Sequence, residues 1–94
     1  MYSKKTIIIN KSGLHARPGS QFVREAKKYA SDITITKLDN EGNPVKNCPA
    51  KSIALVMAMM LAKGTNIEIS AQGEDEQTAV DALIALVEAG LNDL

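Results

Sequence analysis

The chain of 94 residues has no tryptophan, one phenylalanine and two tyrosines. Its core must therefore be aliphatic, built from Ile, Leu, Val, Met and Ala. The single cysteine, Cys48, excludes an internal disulfide. The single histidine, His15, leaves a metal site short of ligands, so no metal and no cofactor is expected. Charge of one sign is also missing: eleven basic residues cancel eleven acidic ones. Nothing then draws the chain at long range toward nucleic acid or an anionic membrane, and any anion site must be local. No apolar run approaches the roughly 20 residues of a membrane span. The three isoleucines Ile7-Ile8-Ile9 are too few for a signal-peptide core. These absences fit a cytosolic protein with one domain, 1–94.

What is present is a regular alternation of short patterns. Lys5 to Asn10 holds the β-branched run Thr6-Ile7-Ile8-Ile9 and reads as a strand. From Pro18, the positions Phe22, Val23, Ala26 and Tyr29 follow helical spacing, with Arg24, Glu25, Lys27 and Lys28 on the wet side. Ile33 to Thr36 alternates as a second strand. Asp39 to Pro44 is dense in turn formers, and a short third strand is expected over Val45 to Asn47. Ser52 reads as the N-cap of a helix running to Leu61. Gly64 marks a turn, and Asn66 to Ala71 alternates as a fourth strand. A last helix follows Gly73-Glu74-Asp75-Glu76, with the stripe Val80, Leu83, Ile84, Val87 and Leu91 and with Gly90 as terminator. The order is β-α-β-β-α-β-α, an α+β fold whose economical packing is a sheet with helices on one face.

Ile53 to Ala62 contains no polar side chain. Such a helix is either wholly buried or shows apolar surface to a partner, and a chain this small can hardly surround one. Periodicity alone leaves both readings open.

His15 lies in Gly13-Leu14-His15-Ala16-Arg17-Pro18. Proline is favoured in a first helical turn, and a helix start offers backbone N–H donors and partial positive charge to an anion. The helix start and Arg17 both favour the neutral imidazole, the form with a lone pair for attack on phosphorus. The same groups would stabilise the phosphoryl dianion after transfer, with the Ser12 hydroxyl as a further donor. A plain surface histidine is the competing reading. A Cys48–His15 nucleophilic pair is a third, although Cys48 reads as part of a Pro-flanked loop. A β-α-β-β-α-β nucleic-acid module is disfavoured by the missing aromatic platform and missing positive charge.

The chain resembles the HPr family, the histidine-containing phosphocarrier proteins of the bacterial phosphoenolpyruvate-dependent sugar phosphotransferase system. The likeness runs nearly end to end. It is carried by Ser12 to Pro18, Lys51-Ser52-Ile53, Ala62-Lys63-Gly64, and Ile67 to Ala71 with Gly73. It implies an open-faced β-sandwich of four antiparallel strands and three helices. It implies a cytoplasmic, monomeric carrier for sugar transport, one that is not an enzyme with turnover of its own. His15 would take the phosphoryl group on Nδ1 from phosphorylated enzyme I and pass it to an enzyme IIA domain. Arg17 would pair with the phosphate, and the Ala16 and Arg17 N–H groups would donate to it. Ser20 and Arg24 of the first helix, with Ile53, Ala54 and Met57 of the second, would dock partners. Ser52 matches the serine modified in some members by HPr kinase/phosphorylase, which would make the chain a phosphoprotein at two sites and bring in a catabolite-control regulator; a simple helix cap is its plainer role.

Several positions depart from the family pattern. The segment 39–50 is longer, and Cys48-Pro49-Ala50 is unfamiliar there. Gly19 replaces a usual alanine and is expected to loosen the first helical turn. Leu55 and Met60 replace frequent glycines, and Met60 is expected to extend the second helix. These changes lie around the docking surface, so the alternative is a regulatory paralogue that binds a transcription factor or an enzyme.

Overall fold

The computed structural model describes residues 1–92; the last two residues of the expected 1–94 domain lie outside them. The order is β1 (Tyr2–Ile7), α1 (Ala16–Ala26), β2 (Asp32–Leu38), β3 (Pro44–Pro49), α2 (Ile53–Ala58), β4 (Asn66–Gln72) and α3 (Glu76–Glu88), followed by a 3-10 turn over Gly90–Asn92. The four strands form one antiparallel sheet in the order β1-β4-β2-β3. The last strand in sequence therefore sits inside, between β1 and β2. Its alternation sorts Ile67, Ile69 and Ala71 to the buried face, where Ile69 stands across from Ile35, which in turn faces Cys48. Thr34, Thr36, Glu68 and Ser70 take the opposite, open face by the same period of two.

The helices close the other face. α3 presents Ala79, Val80, Leu83, Ile84 and Val87 to the core, and Leu91 follows as a buried residue after the turn at Gly90. α1 contributes Phe22, Val23 and Ala26. The expected fold class and element order hold, but several bounds differ: α1 begins at Ala16 and stops at Ala26, short of Tyr29, α3 stops at Glu88, short of Leu91, and β1, β3 and α2 also have other ends than expected.

β1 begins earlier than the isoleucine run and stops inside it. Its residues Tyr2, Lys4 and Thr6 are met by acids of α3: Tyr2 Oη and Lys4 Nζ each lie 2.8 Å from Asp81, and Thr6 Oγ1 donates to Glu88 at 3.0 Å. Polar partners across the layer thus replace the hydrophobic alternation that marks a strand in sequence. Ile8 is buried, and its backbone pairs with the lead-in to β4, through Ile8 N to Thr65 O at 2.9 Å and Gly64 N to Ile8 O at 2.7 Å. At the other edge, β3 reaches Pro49, so Cys48 belongs to a strand and not to a loop.

α2 is shorter than expected. Ser52 caps it, its Oγ accepting the Leu55 N–H at 3.3 Å. Met60 does not extend the helix: it takes φ +55°, a left-handed conformation that costs a residue with a Cβ about 1–2 kcal/mol. That turn reverses the chain, buries Leu61 and aims its carbonyl at Leu14 N–H, 2.9 Å away. A helix continuing through Met60 would forfeit both.

Candidate phosphoryl-acceptor site

The site grows from the turn before α1. Gly13 N–H donates to Asn10 O at 3.2 Å, and Leu14, fully buried, hangs from Leu61 O. Gly13 stands at φ +64°, and a Cβ there would run into the Leu61 carbonyl and lie 2.9 Å from Ala62 Cα. Only glycine allows the loop this close to the α2–β4 connection.

His15 follows as the N-cap of α1, in extended backbone (φ −119°, ψ 159°). Its side chain makes no capping hydrogen bond, and no acidic residue stands in the first helical turn. The imidazole is half-buried, while Ala16 and Arg17 are exposed. Ala16 has φ +49°, so regular helix geometry begins only after it. Gly19 N–H closes the first turn on His15 O at 3.3 Å, and Pro18 is buried beneath. The early N–H donors are thus not taken by a side-chain cap, and no carboxylate lies within ion-pair distance of Arg17 among the described residues. A helix start of this kind suits a phosphate. Ser12 lies exposed in the preceding turn.

Gly19 acts opposite to the expected loosening. A Cβ there would lie 2.8 Å from Leu14 O and 3.2 Å from Met57 Cε. The glycine lets α1 press onto the loop that carries His15, with Met57 of α2 against it. α2 itself buries Val56 and leaves Ile53, Ala54 and Leu55 exposed, Leu55 at 48%. The apolar helix is thus a partly exposed patch. Ser20, Arg24 and Ile53 come together with Val23 and Lys27 around a groove of about 240 Å³ between the two helices. Four of the five expected docking residues, Ser20, Arg24, Ile53 and Met57, therefore gather at the α1–α2 junction, and Ala54 lies on the exposed side of α2. Arg24 and Lys27 make the rim of this groove basic, while Lys28 is paired with Glu25 at 3.0 Å.

Cys48 takes no part. Its thiol is buried, lies 3.1 Å from the Met59 sulfur, and is pushed upward in pKa by that burial, which keeps it protonated. The Cys48–His15 pair does not form. Two residues of the site were not foreseen. Leu61 acts through its backbone and leaves no side-chain signature. Asn10 could have been found as an Asx residue shortly before a glycine turn.

Comparison with known proteins agrees with this fold. The family model described as "PTS HPr component phosphorylation site" matches residues 2–89. The chain is 47% identical over 87 residues to the phosphocarrier protein HPr of Haemophilus influenzae, covering 93% of this chain and 95% of that one. It is 37% identical over 91 residues to the multiphosphoryl transfer protein of Salmonella typhimurium, spanning 97% of itself and only 23% of that longer protein. Among solved structures, an HPr of Thermoanaerobacter tengcongensis superposes with TM-score 0.87 at 35% identity, over 100% of this chain and 99% of that one. The chain therefore belongs to the HPr family of the phosphotransferase system, as a phosphocarrier protein.

Proposed function

We propose that His15 is the phosphoryl acceptor, taking the group from phosphorylated enzyme I and delivering it to an enzyme IIA domain in the cytoplasm. The observation that carries this reading is a lone imidazole at a helix start with no acid and no side-chain cap. Nδ1 attacks phosphorus with its lone pair, the bond from phosphorus to the donor breaks, and the donor keeps that electron pair. Arg17 and the Ala16 and Arg17 N–H groups balance the dianion, and Ser12 adds a hydroxyl. The next acceptor reverses the step. The protein is a stoichiometric carrier, so weak and fast partner contacts suit it. Ser20, Arg24, Ile53, Ala54 and Met57 supply the docking face, apolar at α2 and basic along α1.

Ser52 is a regulatory phosphorylation site on this reading. A phosphate there would bring about two negative charges to the helix start beside Ile53, altering which partners the face accepts, a catabolite-control regulator among them. HPr kinase/phosphorylase would act on it.

The test uses phosphoenolpyruvate labelled in the phosphoryl group, together with enzyme I. The wild-type chain is expected to take up acid-labile, alkali-stable label, and His15→Ala to take up none. Undiminished labelling of His15→Ala would overturn the assignment.

A further inference from the structure

Asn10 and Ser31 are the two buried polar residues among the described residues. Ser31 serves a turn tied to Asp75. Asn10 serves the turn that carries His15. Its side chain is fully buried, and its Nδ2 donates to the Gly13 carbonyl at 2.7 Å. The Gly13 N–H returns to Asn10 O at 3.2 Å, so residues 10–13 are closed twice, once through backbone and once through a side chain. The next residue, Leu14, is buried and fixed to Leu61 O. His15 comes immediately after.

We infer that Asn10 is a positioning residue for phosphoryl transfer: its buried amide locks the 10–13 turn and so fixes the place from which His15 meets the phosphorus. The inference rests on His15 being the acceptor. A buried amide left without partners is costly, so a fully buried Asn is retained only where its bonds do something. Here the bond ends two residues before the nucleophile. Left-handed φ angles at Gly13 and Ala16 flank that nucleophile, and such conformations persist only where the surroundings hold them. Asn10 is a part of those surroundings and cannot touch a partner protein, since its side chain is covered.

The expected signature is thus a lower transfer rate without weaker docking. Rapid-quench phosphorylation by phosphorylated enzyme I would be measured for Asn10→Ala and Asn10→Asp, with Ser31→Ala as a control for general softening. Both Asn10 variants lack the amide donor. Each is expected to lose about 10-fold to 100-fold in the maximal rate with KM unchanged, as displacement of a reacting group does. Ser31→Ala is expected to lower Tm and leave the rate alone. The Gly13 and Leu14 amide signals and the His15 ring signals should broaden or shift in the Asn10 variants only. If Asn10→Ala does not fold, Asn10→Ser, which keeps a small polar group, takes its place. Folded Asn10 variants that transfer at the wild-type rate would overturn the inference, and so would an equal rate loss in Ser31→Ala. Failure of the acceptor assignment is a different result, because wild type and His15→Ala would then label alike.

Discussion

The starts of α1 and α3 both lead from a turn into a helix, and they are built in opposite ways. At α3 the acids Asp75 and Glu76 are used internally. Glu76 accepts the Gly73 N–H at 3.1 Å and pairs with the Met1 ammonium at 3.3 Å. Asp75 accepts the N–H groups of Ala30 and Ser31, at 2.9 Å and 3.0 Å, and also the Ser31 hydroxyl. Neither helix start has a side-chain cap from its N-cap residue, but α1 also has no acid in its first turn, and an exposed arginine takes its second position. The dipole of α3 is answered by its own carboxylates, which stabilises the fold. The dipole of α1 meets no acid in its first turn, which on the proposed reading leaves it for the phosphoryl group. On that reading the same backbone feature serves stability at one place and chemistry at the other, and the side chains of a single turn decide which.

The most severe way to break this contrast is to give α1 what α3 has. Ala16→Asp puts a carboxylate into the α1 first turn, and aspartate is among the residues that tolerate left-handed backbone. An acid at a helix start adds roughly 0.3–1 kcal/mol of stability, so Tm should hold or rise. Phosphorylation of His15 should nevertheless fall by about 100-fold, the scale of losing a donor aimed at developing negative charge. Rapid-quench kinetics beside a melting curve would show the two quantities moving apart. A variant that transfers at the wild-type rate would sink the idea that the free helix start matters.

The next comparison uses the glycines beside the two helix starts. A Cβ at Gly19 would lie 2.8 Å from the Leu14 carbonyl oxygen, and a Cβ at Gly73 would lie 2.5 Å from Ser31 Oγ. Overpacking of this kind costs typically about 1–3 kcal/mol. Gly19→Ala and Gly73→Ala should both lower the urea midpoint. Only Gly19→Ala should also slow transfer, because the atom it displaces belongs to the loop that carries His15, the proposed acceptor.

Much of this was legible in the sequence, and the parts that were not share a cause. β2 and β4 alternate on their own account, and α3 carries an unbroken apolar stripe, so each announces itself locally. His15 was legible as the N-cap of a helix from Arg17 and Pro18, its neighbours in the chain. β1 was misplaced because its partners, Asp81 and Glu88, come about 80 residues later and satisfy polar side chains where hydrophobic ones were sought. The end of α2 was misplaced because Met60 looks like a helix former. What turns it left-handed is the tertiary bond from Leu14 to Leu61. Gly19 reads as a weak spot in a helix until Leu14 and Met57 are seen against it. In each case a contact between distant segments overrode local propensity, and two of the three contacts brace the loop that carries His15.

The gentlest probe acts at the start of α3 and reads pH. The Ser31 hydroxyl, then the Ala30 and Ser31 N–H groups, favour the charged carboxylate of Asp75 and hold it below the ordinary aspartate value. A carboxylate depressed in the folded state stabilises the protein above its unfolded value, and that contribution disappears as pH falls through the folded value. Asp75→Asn has no such contribution at any pH. Its Tm should therefore lie below wild type at pH 7, and the two curves should converge as the solution is acidified below about pH 4. Glu76 and Asp81 are also depressed, by the Gly73 N–H and by Lys4 respectively. They remain in both proteins, so each still loses stability in acid and only the gap between the curves reports Asp75. Phosphoryl transfer by Asp75→Asn at neutral pH should match wild type. A slowed transfer would mean that the two helix starts are mechanically coupled through α1, and a gap that persists at low pH would remove the carboxylate as the source of the latch.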